Sequence, residues 1–546
     1  MVAADLPTRY LKKMLAGSAT IGKLPELAAK IGVEVKESNS KSISIDVTPD
    51  RPDLLCVVGL ARGVRNFTGR KSRLQYAIQD QKPYLEIVVG RRVKTVRPFI
   101  SGLVVRGLKF DDDSLKDLIN FTEKLSANVG RKRKKLAMGL HNLDAIEPPL
   151  LYDAFKNEKF VPLGGKVPVD FKQTLESHKK GQEYSGTIGG SAAYPALKDS
   201  KGIMSLIPII NSERTKIDSQ TKNIFLDITG TSSFLVEKIA DMMASYFLDI
   251  GAEVHKVAIV YQNRTEITPA MKSEKLEIPM AKLDMQLGAF THSQAYGALA
   301  NKMGFGAAIV GNKLRVYLPA YRIDVINDQD IASDITVAYG YDRIRPLPVF
   351  SMQQGLLQKS TVDYEEIAQL MIGMGFSEAM NSYLTDVESN FRSMRMEPNN
   401  NFVKLKGSRV QSITMLRTCL LPSLLRNCGK SKHDSLPQRL FELDMAFSVE
   451  HGMAKEEQHL AAISVDPAAN FNEAVAVIGK LLDGIMPGAK FSEHDHPSFI
   501  PGRSGNIIAG KREIGRFGEL HPEVLSNFGI EEPAFAFELN LSGLHI

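Results

Sequence analysis

The chain has 546 residues, of which 43% are apolar and 24% charged, with a net charge of +6 and a pI near 8.9. That length exceeds a single hydrophobic core and implies about three to four domains, while no run approaches the roughly eighteen apolar residues of a bilayer span. The mild positive balance permits contact with a polyanion without requiring it. The opening Met1-Val-Ala-Ala-Asp-Leu-Pro-Thr-Arg9 has no apolar signal core, and Cys56, Cys419 and Cys428 lack any zinc or CxxC spacing. A reducing cytoplasm is therefore the expected location, with no membrane partner.

Leu24 to Ile31 reads as a short helix ending at Gly32, and Ile43, Ile45 and Val47 alternate as a strand. Thr48-Pro-Asp-Arg-Pro-Asp53 follows, then an apolar helix from Leu54 to Phe67. Residues 86 to 265 have a different character, with strand-like runs over Phe99–Val105, Lys135–Leu140, Ile203–Ile210 and Asn223–Thr229. Helical spacing appears over Ser114–Leu125 and Ser232–Ile250. The opening pattern then returns: Ala295 to Met303 ends at Gly304, and Leu314, Val316 and Leu318 alternate. Pro319-Ala-Tyr-Arg-Ile-Asp324 and a helix over about Asp330–Tyr339 complete the echo. In both copies the aspartate of Arg-x-Asp lies six positions past the last inward strand residue and sixteen before a glycine, Gly69 or Gly340. A final unit opens with a helix over Tyr364–Met374, has an apolar helix over Thr414–Leu425, and ends in strands near Ser504–Ile508, Glu513–Phe517 and Ala534–Leu541. The expected architecture is multidomain α+β, with duplicated small helix–strand domains at 1–85 and 266–350 flanking a larger domain at 86–265, then a unit at 351–546.

Four segments in order resemble the phenylalanyl-tRNA synthetase β family, of the shorter archaeal and eukaryotic kind. They are Thr48-Pro-Asp-Arg-Pro-Asp-Leu-Leu55 with Gly59-Leu-Ala-Arg62, and Gly130-Arg-Lys-Arg-Lys-Lys-Leu-Ala-Met-Gly-Leu-His-Asn-Leu-Asp144. The third runs from Tyr194-Pro-Ala-Leu197 through Ile209-Ile-Asn-Ser-Glu-Arg-Thr-Lys216 to Thr221–Thr231, and the fourth joins Pro497–Arg503 to Gly518-Glu-Leu-His-Pro-Glu523. The resemblance implies winged-helix-like small domains, a tRNA-editing domain between them, and an inactive class II synthetase-like antiparallel-sheet domain at the end. It also implies an α subunit that uses ATP to attach phenylalanine, in an α2β2 tetramer acting on phenylalanine tRNA. Arg439-Leu-Phe-Glu442 only faintly resembles the first ATP-clamping motif of class II enzymes, and the second is not recognisable. No residue is expected to catalyse aminoacylation here.

An editing site is the physical remedy for tyrosine, because a pocket for phenylalanine rejects an added hydroxyl only about a hundredfold. By resemblance the site is Asn211, Glu213, Asp227, Thr229 and Thr231, with Asp227 accepting from the phenol or the ammonium and Asn211 orienting substrate or water. Read as residues alone, Asn211-Ser212 is also an ordinary turn, Glu213 a solvated side chain and Asp227 a backbone acceptor. Where the family often has histidine in this loop, the chain has Arg214.

Asp324, Asp330, Ser333 and Asp334 are the residues at which the family binds magnesium, Ser333 standing where the family usually has an acid. A second reading assigns Asp330 and Asp334 to the N-terminal end of a helix, where free amides and the dipole favour them. The first copy keeps only Asp53, and no metal is expected there. Arg131-Lys-Arg-Lys-Lys135 reads either as a solvated loop or as a contact for tRNA phosphates; His494 and His496 receive no role. Rival functions are a free-standing hydrolase of mischarged tRNA and a non-enzymatic tRNA-binding adaptor. The first predicts no flanking repeats, and the second needs cations on the repeats' second helices beyond Arg62 and Arg65.

Overall fold

The computed structural model describes residues 2–542 apart from 18, 70–75, 77, 79–81, 157, 189–192, 289–291, 347, 349–352, 409 and 411. It divides into two compact units, Met1–Pro348 and Val349–Ile546, and the boundary expected at 350–351 falls outside the described residues. The protein is a mixed α+β chain, and no helix among the described residues is long and apolar enough to cross a membrane.

The sequence echo is a structural one. Each copy is a three-stranded antiparallel sheet whose central strand, Ser42–Val47 or Lys313–Leu318, carries the alternating residues. Ile43, Ile45 and Val47 are buried in the first, Leu314, Val316 and Leu318 in the second, as a period of two demands. Helices Leu24–Ala29 and Val57–Phe67 cover the first sheet, Tyr296–Lys302 and Asp328–Tyr339 the second. Gly59 is required where it stands, because a Cβ there would sit 1.7 Å from the Asp53 carbonyl oxygen.

The Arg-x-Asp motifs organise the charge inside unit 1. Arg51 makes a two-pronged bond to Asp53 at 2.9 and 3.1 Å, and Arg322 does the same to Asp324 at 2.8 and 2.6 Å. Arg322 also reaches Asp334 at 2.5 Å. Arg62, on the second helix of the first copy, is buried against Asp249 at 2.7 Å and lies 3.5 Å above the Tyr321 ring. It is therefore core, and not a cation presented to a nucleic acid. Burial alone would lower the Arg322 guanidinium; Asp334 and Asp324 override it and hold it well above its ordinary value.

Ten strands among the described residues form one sheet in the middle of unit 1. Ile224–Gly230, buried at every position, runs antiparallel between Phe99–Arg106 and Leu136–Asn142. The apolar run expected as one strand over Ile203–Ile210 is two, Gly202–Leu206 and Ile210–Asn211, because Pro208 has no amide hydrogen for a ladder. Helices Asp112–Ala127 and Ser233–Asp249 pack on one face. Leu85–Val89 and Thr265–Thr268, at the expected edges of this domain, are strands of its sheet.

Among the described residues unit 2 holds a seven-stranded sheet, antiparallel except where Ser377–Glu378 joins Gln438–Glu450. Helices Lys359–Gly373 and Phe471–Ile485 contribute to one core cluster, Leu421–Lys430 and Pro522–Asn527 to another. The helix expected over Thr414–Leu425 begins only at Leu421, and Met415–Leu416 is a short strand. Pro422 accounts for the shift: proline suits the first turn of a helix, where no amide is needed, and not its interior.

Two tests follow from buried charge in unit 1. Arg322→Met leaves Asp324 and Asp334 without their counter-ion and is expected to lower the urea-unfolding free energy by about 3–5 kcal/mol. Arg322→Lys, which keeps the charge but loses the planar fork, falls between, and an unchanged Arg322→Met chain would contradict the reading. Burial, partly offset by the Val57 amide and the Tyr246 hydroxyl, raises Asp117 to about 7, against about 3.9 when unfolded. Between those values only the folded chain holds the proton, so this group's contribution to stability is lost as pH rises through them. Asp117→Asn should reduce that fall, which reaches about 1.4 kcal/mol per pH unit from this group. Asp241, raised by burial to about 6, adds a fall of the same sign that remains, and identical pH profiles for the two chains would contradict the assignment.

Candidate functional site

The path of the large sheet starts at Ile210–Asn211 and ends at Leu136–Asn142, and these two ends meet. Asn211 closes the gap: its Nδ2 donates to the Leu140 carbonyl at 3.1 Å. Around the seam lies a cavity of about 360 Å³, within the size range of small-molecule sites. Met138, Leu140, Ile207 and Ile209 give it apolar walls, and Ser205, Asn211, Asp227 and Thr229 supply polar groups. The exposed Lys216 and Leu163 stand on its rim.

Gly139 makes the polar corner possible. A Cβ at this position would lie 2.2 Å from Asp227 Oδ2, 3.0 Å from His141 Nε2 and 3.1 Å from Asn211 Oδ1, so three polar side chains converge on a residue with none. Asp227 is 2% exposed, and its Oδ2 accepts from His141 Nε2 at 3.0 Å. His141 is in turn fixed through Nδ1, 2.8 Å from Thr215 Oγ1. With Nε2 donating to the carboxylate, Nδ1 is the acceptor for the threonine hydroxyl. Ser205 is equally buried, and its Oγ has no hydrogen-bond partner among the described residues. A buried hydroxyl left unmatched costs about 1–3 kcal/mol, so this atom has unfilled capacity for a ligand.

Thr229 is held from behind by Arg97, whose Nε donates to Thr229 Oγ1 at 3.0 Å and whose Nη2 donates to its carbonyl at 2.7 Å. Burial lowers Arg97 to about 10, which still leaves it charged at neutral pH. Glu213 does not line the cavity. Its Oε2 accepts from the Gly164 amide at 2.7 Å and its Oε1 pairs with Lys216 at 3.2 Å, and both partners hold the carboxyl below its usual range. Thr231 is exposed and donates its amide to the Lys135 carbonyl, outside the cavity. Arg214 points away, to Asp199 at 2.7 Å and the Ala145 carbonyl at 2.8 Å, and so clamps the loop.

The five-cation run is not uniform. Arg131, Lys132 and Lys134 are exposed, Lys135 is half-buried, and Arg133 is buried against the cavity wall. Arg133 is thus not available to a phosphate at the surface: its guanidinium is occupied by the Pro208 and Ile209 carbonyls and by Glu123.

Asp324, Asp330, Ser333 and Asp334 do not form a magnesium ligand set. Magnesium takes carboxylate oxygens that are free to complete an octahedron with water, whereas Asp324 and Asp334 both accept from Arg322. Asp330 turns Oδ2 to the amides of Ile326 and Asn327 at 2.7 and 2.9 Å, as the acidic member of a capping box, and Ser333 faces solvent. The positive charge expected from a metal comes from an arginine two residues before the first aspartate. Among the described residues no group of three or more His, Cys, Asp or Glu side chains is placed to hold a metal. In unit 2, Arg439 pairs with Glu473 at 2.9 Å, which uses the guanidinium that a phosphate clamp would need.

His141, Ser205, Gly139 and Arg97 were not among the residues singled out in the sequence. Two signals were present: a glycine in mid-strand, which marks a close approach, and a serine inside the apolar run Ile203–Ile210.

Residues 345–541 match the family described as the phenylalanyl tRNA synthetase beta chain CLM domain, 81–247 the B3/4 domain and 276–341 the tRNA synthetase B5 domain. The phenylalanine–tRNA ligase beta subunit of Methanocaldococcus jannaschii is 33% identical over 529 residues, 95% of each chain. That of Pyrococcus horikoshii is 33% identical over 503 residues, 91% of this chain and 90% of the relative. A solved N-terminal fragment of the phenylalanyl-tRNA synthetase beta subunit from Pyrococcus horikoshii superposes with a TM-score of 0.59 at 30% identity, covering 62% of this chain and all of that one. With similarity of this extent along nearly its whole length, the chain belongs to the family of phenylalanine–tRNA ligase beta subunits.

Proposed function

We propose that the cavity between Gly139 and Thr229 is a hydrolytic editing site, which releases tyrosine from mischarged phenylalanine tRNA. The observation that carries the reading is that an unmatched Ser205 hydroxyl and the buried Asp227 carboxylate both line one mostly apolar cavity. A phenol fits that pair. Its O–H donates to the Asp227 carboxylate and its oxygen accepts from Ser205 Oγ, while Met138, Leu140 and Ile209 cover the ring. Phenylalanine leaves the Ser205 hydroxyl unpaired and Asp227 with His141 alone, and sites built for a hydroxyl reject the analogue lacking it far more strongly than apolar pockets reject an added one. Asn211, fixed through Nδ2, keeps Oδ1 for the substrate ammonium or for the attacking water. The aminoacyl ester is already activated, so water held against its carbonyl, with help from the tRNA terminal hydroxyl, is sufficient chemistry. His141 sets the orientation of Asp227 and does not touch substrate. Glu213 and Thr231 support the loop and take no part in recognition.

In this reading the two small helix–strand units are winged-helix-like supports, and unit 2 is a class II synthetase fold without adenylation chemistry. ATP, and the magnesium that accompanies it, belong to the α subunit of an α2β2 assembly in the cytoplasm. Val362, Leu370 and Ile372, exposed on the helix Lys359–Gly373, offer apolar area for such a partner.

The test is release of tyrosine from tyrosyl-tRNA carrying the phenylalanine anticodon, using the chain assembled with its α partner. Asp227→Ala and Asn211→Ala are each expected to slow release by about a hundredfold or more, with phenylalanine attachment retained. Gly139→Ala should do the same by displacing the Asp227 carboxylate. Release at the parent rate in Asp227→Ala would overturn the site.

A further inference from the structure

Unit 2 holds a cavity of its own, of about 300 Å³, on one face of its sheet. The floor comes from three neighbouring strands, Met453–Val465, Ala534–Asn540 and Arg512–Leu520. Register sets Asn540 opposite His459 and Glu538 opposite Arg516, so these four side chains stand on the same face. Met394, Met396, Leu421 and Phe499 supply the apolar part of the lining, and His496 and Glu513 complete its polar part. None of these residues takes part in the cavity of unit 1, and His496 is one of the two histidines to which the sequence gave no role.

The polar groups divide into those spent on the fold and those left over. Glu538 is spent: its oxygens accept from the amides of Leu420 and Leu421, at the start of the helix Leu421–Lys430, and from His459 Nδ1 at 2.7 Å. A carboxylate can only accept, so the neutral His459 ring keeps its lone pair at Nε2, which has no hydrogen-bond partner among the described residues. His496 is fixed the opposite way. The Ser498 amide donates to its Nδ1 at 3.3 Å, so Nε2 carries the hydrogen. Burial first, then the charges of Arg516 and His494, lower His496 to about 4, which keeps it neutral at physiological pH. One imidazole thus offers an acceptor and the other a donor. Arg516 and Glu513, both exposed, meet only through Arg516 Nε, at 3.3 Å, and both Nη groups are without a hydrogen-bond partner among the described residues. Glu513 also accepts from Asn506 Nδ2 at 2.8 Å. Asn506 lies opposite Arg516 on the adjoining strand Phe499–Ala509, is 8% exposed, and its Oδ1 has no partner. A buried acceptor left unmatched is costly, as Ser205 is in unit 1.

We propose that this cavity binds a free α-amino acid with an apolar side chain, its carboxylate on Arg516 and His496 Nε2, its ammonium on Glu513 and His459 Nε2. The four apolar residues take the side chain. Charge selects the zwitterion: a net anion faces Glu513 and Glu538, a net cation faces Arg516, and a ligand carrying both signs answers each with its opposite. A polyphosphate is excluded on the same ground, because one uncommitted guanidinium between two carboxylates does not neutralise it. Met394 and Met396 suit side chains of more than one shape, since thioethers are flexible and contact aromatic rings favourably. The site holds its ligand without transforming it, and it stands independently of the editing reading.

Calorimetric titration of the assembled ligase tests the site, with the α subunit's amino-acid site blocked by a non-hydrolysable aminoacyl-adenylate analogue. The probes are L-phenylalanine, L-methionine and L-leucine, and at least one is expected to bind once per chain with a Kd of about 1 mM or below. Two relatives of that probe dissect the recognition: its amide, which lacks the carboxylate, and the corresponding acid without the amino group. Each should bind at least about tenfold more weakly. Arg516→Met, which removes an exposed side chain with one long bond, should bring the amino acid down to the affinity of its amide. Thermal unfolding without ligand should be unchanged in that variant, which separates the effect from loss of the fold. No binding of any probe at about tenfold above that Kd would overturn the proposal. Equal affinity for the amino acid and for the acid without the amino group would overturn the zwitterion assignment. Binding that ignores Arg516→Met would belong elsewhere, the cavity of unit 1 included, and would overturn the site itself. Tyrosine release is read separately, so the editing reading stands or fails on its own result.

Discussion

The Asn211 side chain holds together what the backbone alone would leave apart. A ten-stranded sheet that curls far enough for its first and last strands to meet still has a seam, and no ladder crosses this one fully. The amide-to-carbonyl bond from Asn211 to Leu140 bridges it, and Asp227, His141 and Asn211 converge on Gly139 next to that junction. The carboxylate of Asp227 comes from the strand next to one end of the sheet, the Ser205 hydroxyl from the strand next to the other, and the Gly139 gap from the end strand Leu136–Asn142. A buried carboxylate and an unmatched buried hydroxyl lining one cavity are an arrangement that folding does not favour by itself. Such groups remain where a ligand completes them.

Much of the fold was legible because its signals are local. The period-two alternation of Ile43, Ile45 and Val47, and of Leu314, Val316 and Leu318, identified both central strands, since a half-buried strand leaves no other pattern. The echo of Arg-x-Asp at equal spacing identified the duplication. Less legible was what those arginines do. Arg322 is two residues from Asp324 in the chain, yet its bond to Asp334 depends on how the following helix docks. Three aspartates without a visible counter-charge thus read as a metal site, whereas the cation is a guanidinium already in the motif.

The candidate site shows the same division. Asn211, Asp227 and Thr229 lie on one stretch of chain that resemblance could single out. His141, Arg97 and Ser205 matter only because Leu136–Asn142, the segment leading into Phe99–Arg106, and Gly202–Leu206 are brought beside that stretch by sheet order, which no single segment encodes. Arg133 illustrates the limit best: five cations in a row look equivalent in sequence, and the turn there, left-handed at Arg131, Lys132 and Arg133, buries only the third.

The central claim is that the cavity recognises a phenolic oxygen and not merely an aromatic ring. Calorimetric titration of the assembled ligase with non-hydrolysable 3′-amide analogues of tyrosyl- and phenylalanyl-adenosine addresses it directly, with the α subunit's amino-acid site blocked. The account predicts that the tyrosyl analogue binds at least about a hundredfold more tightly, and that Ser205→Ala removes much of the difference. Equal affinities for the two analogues would contradict it.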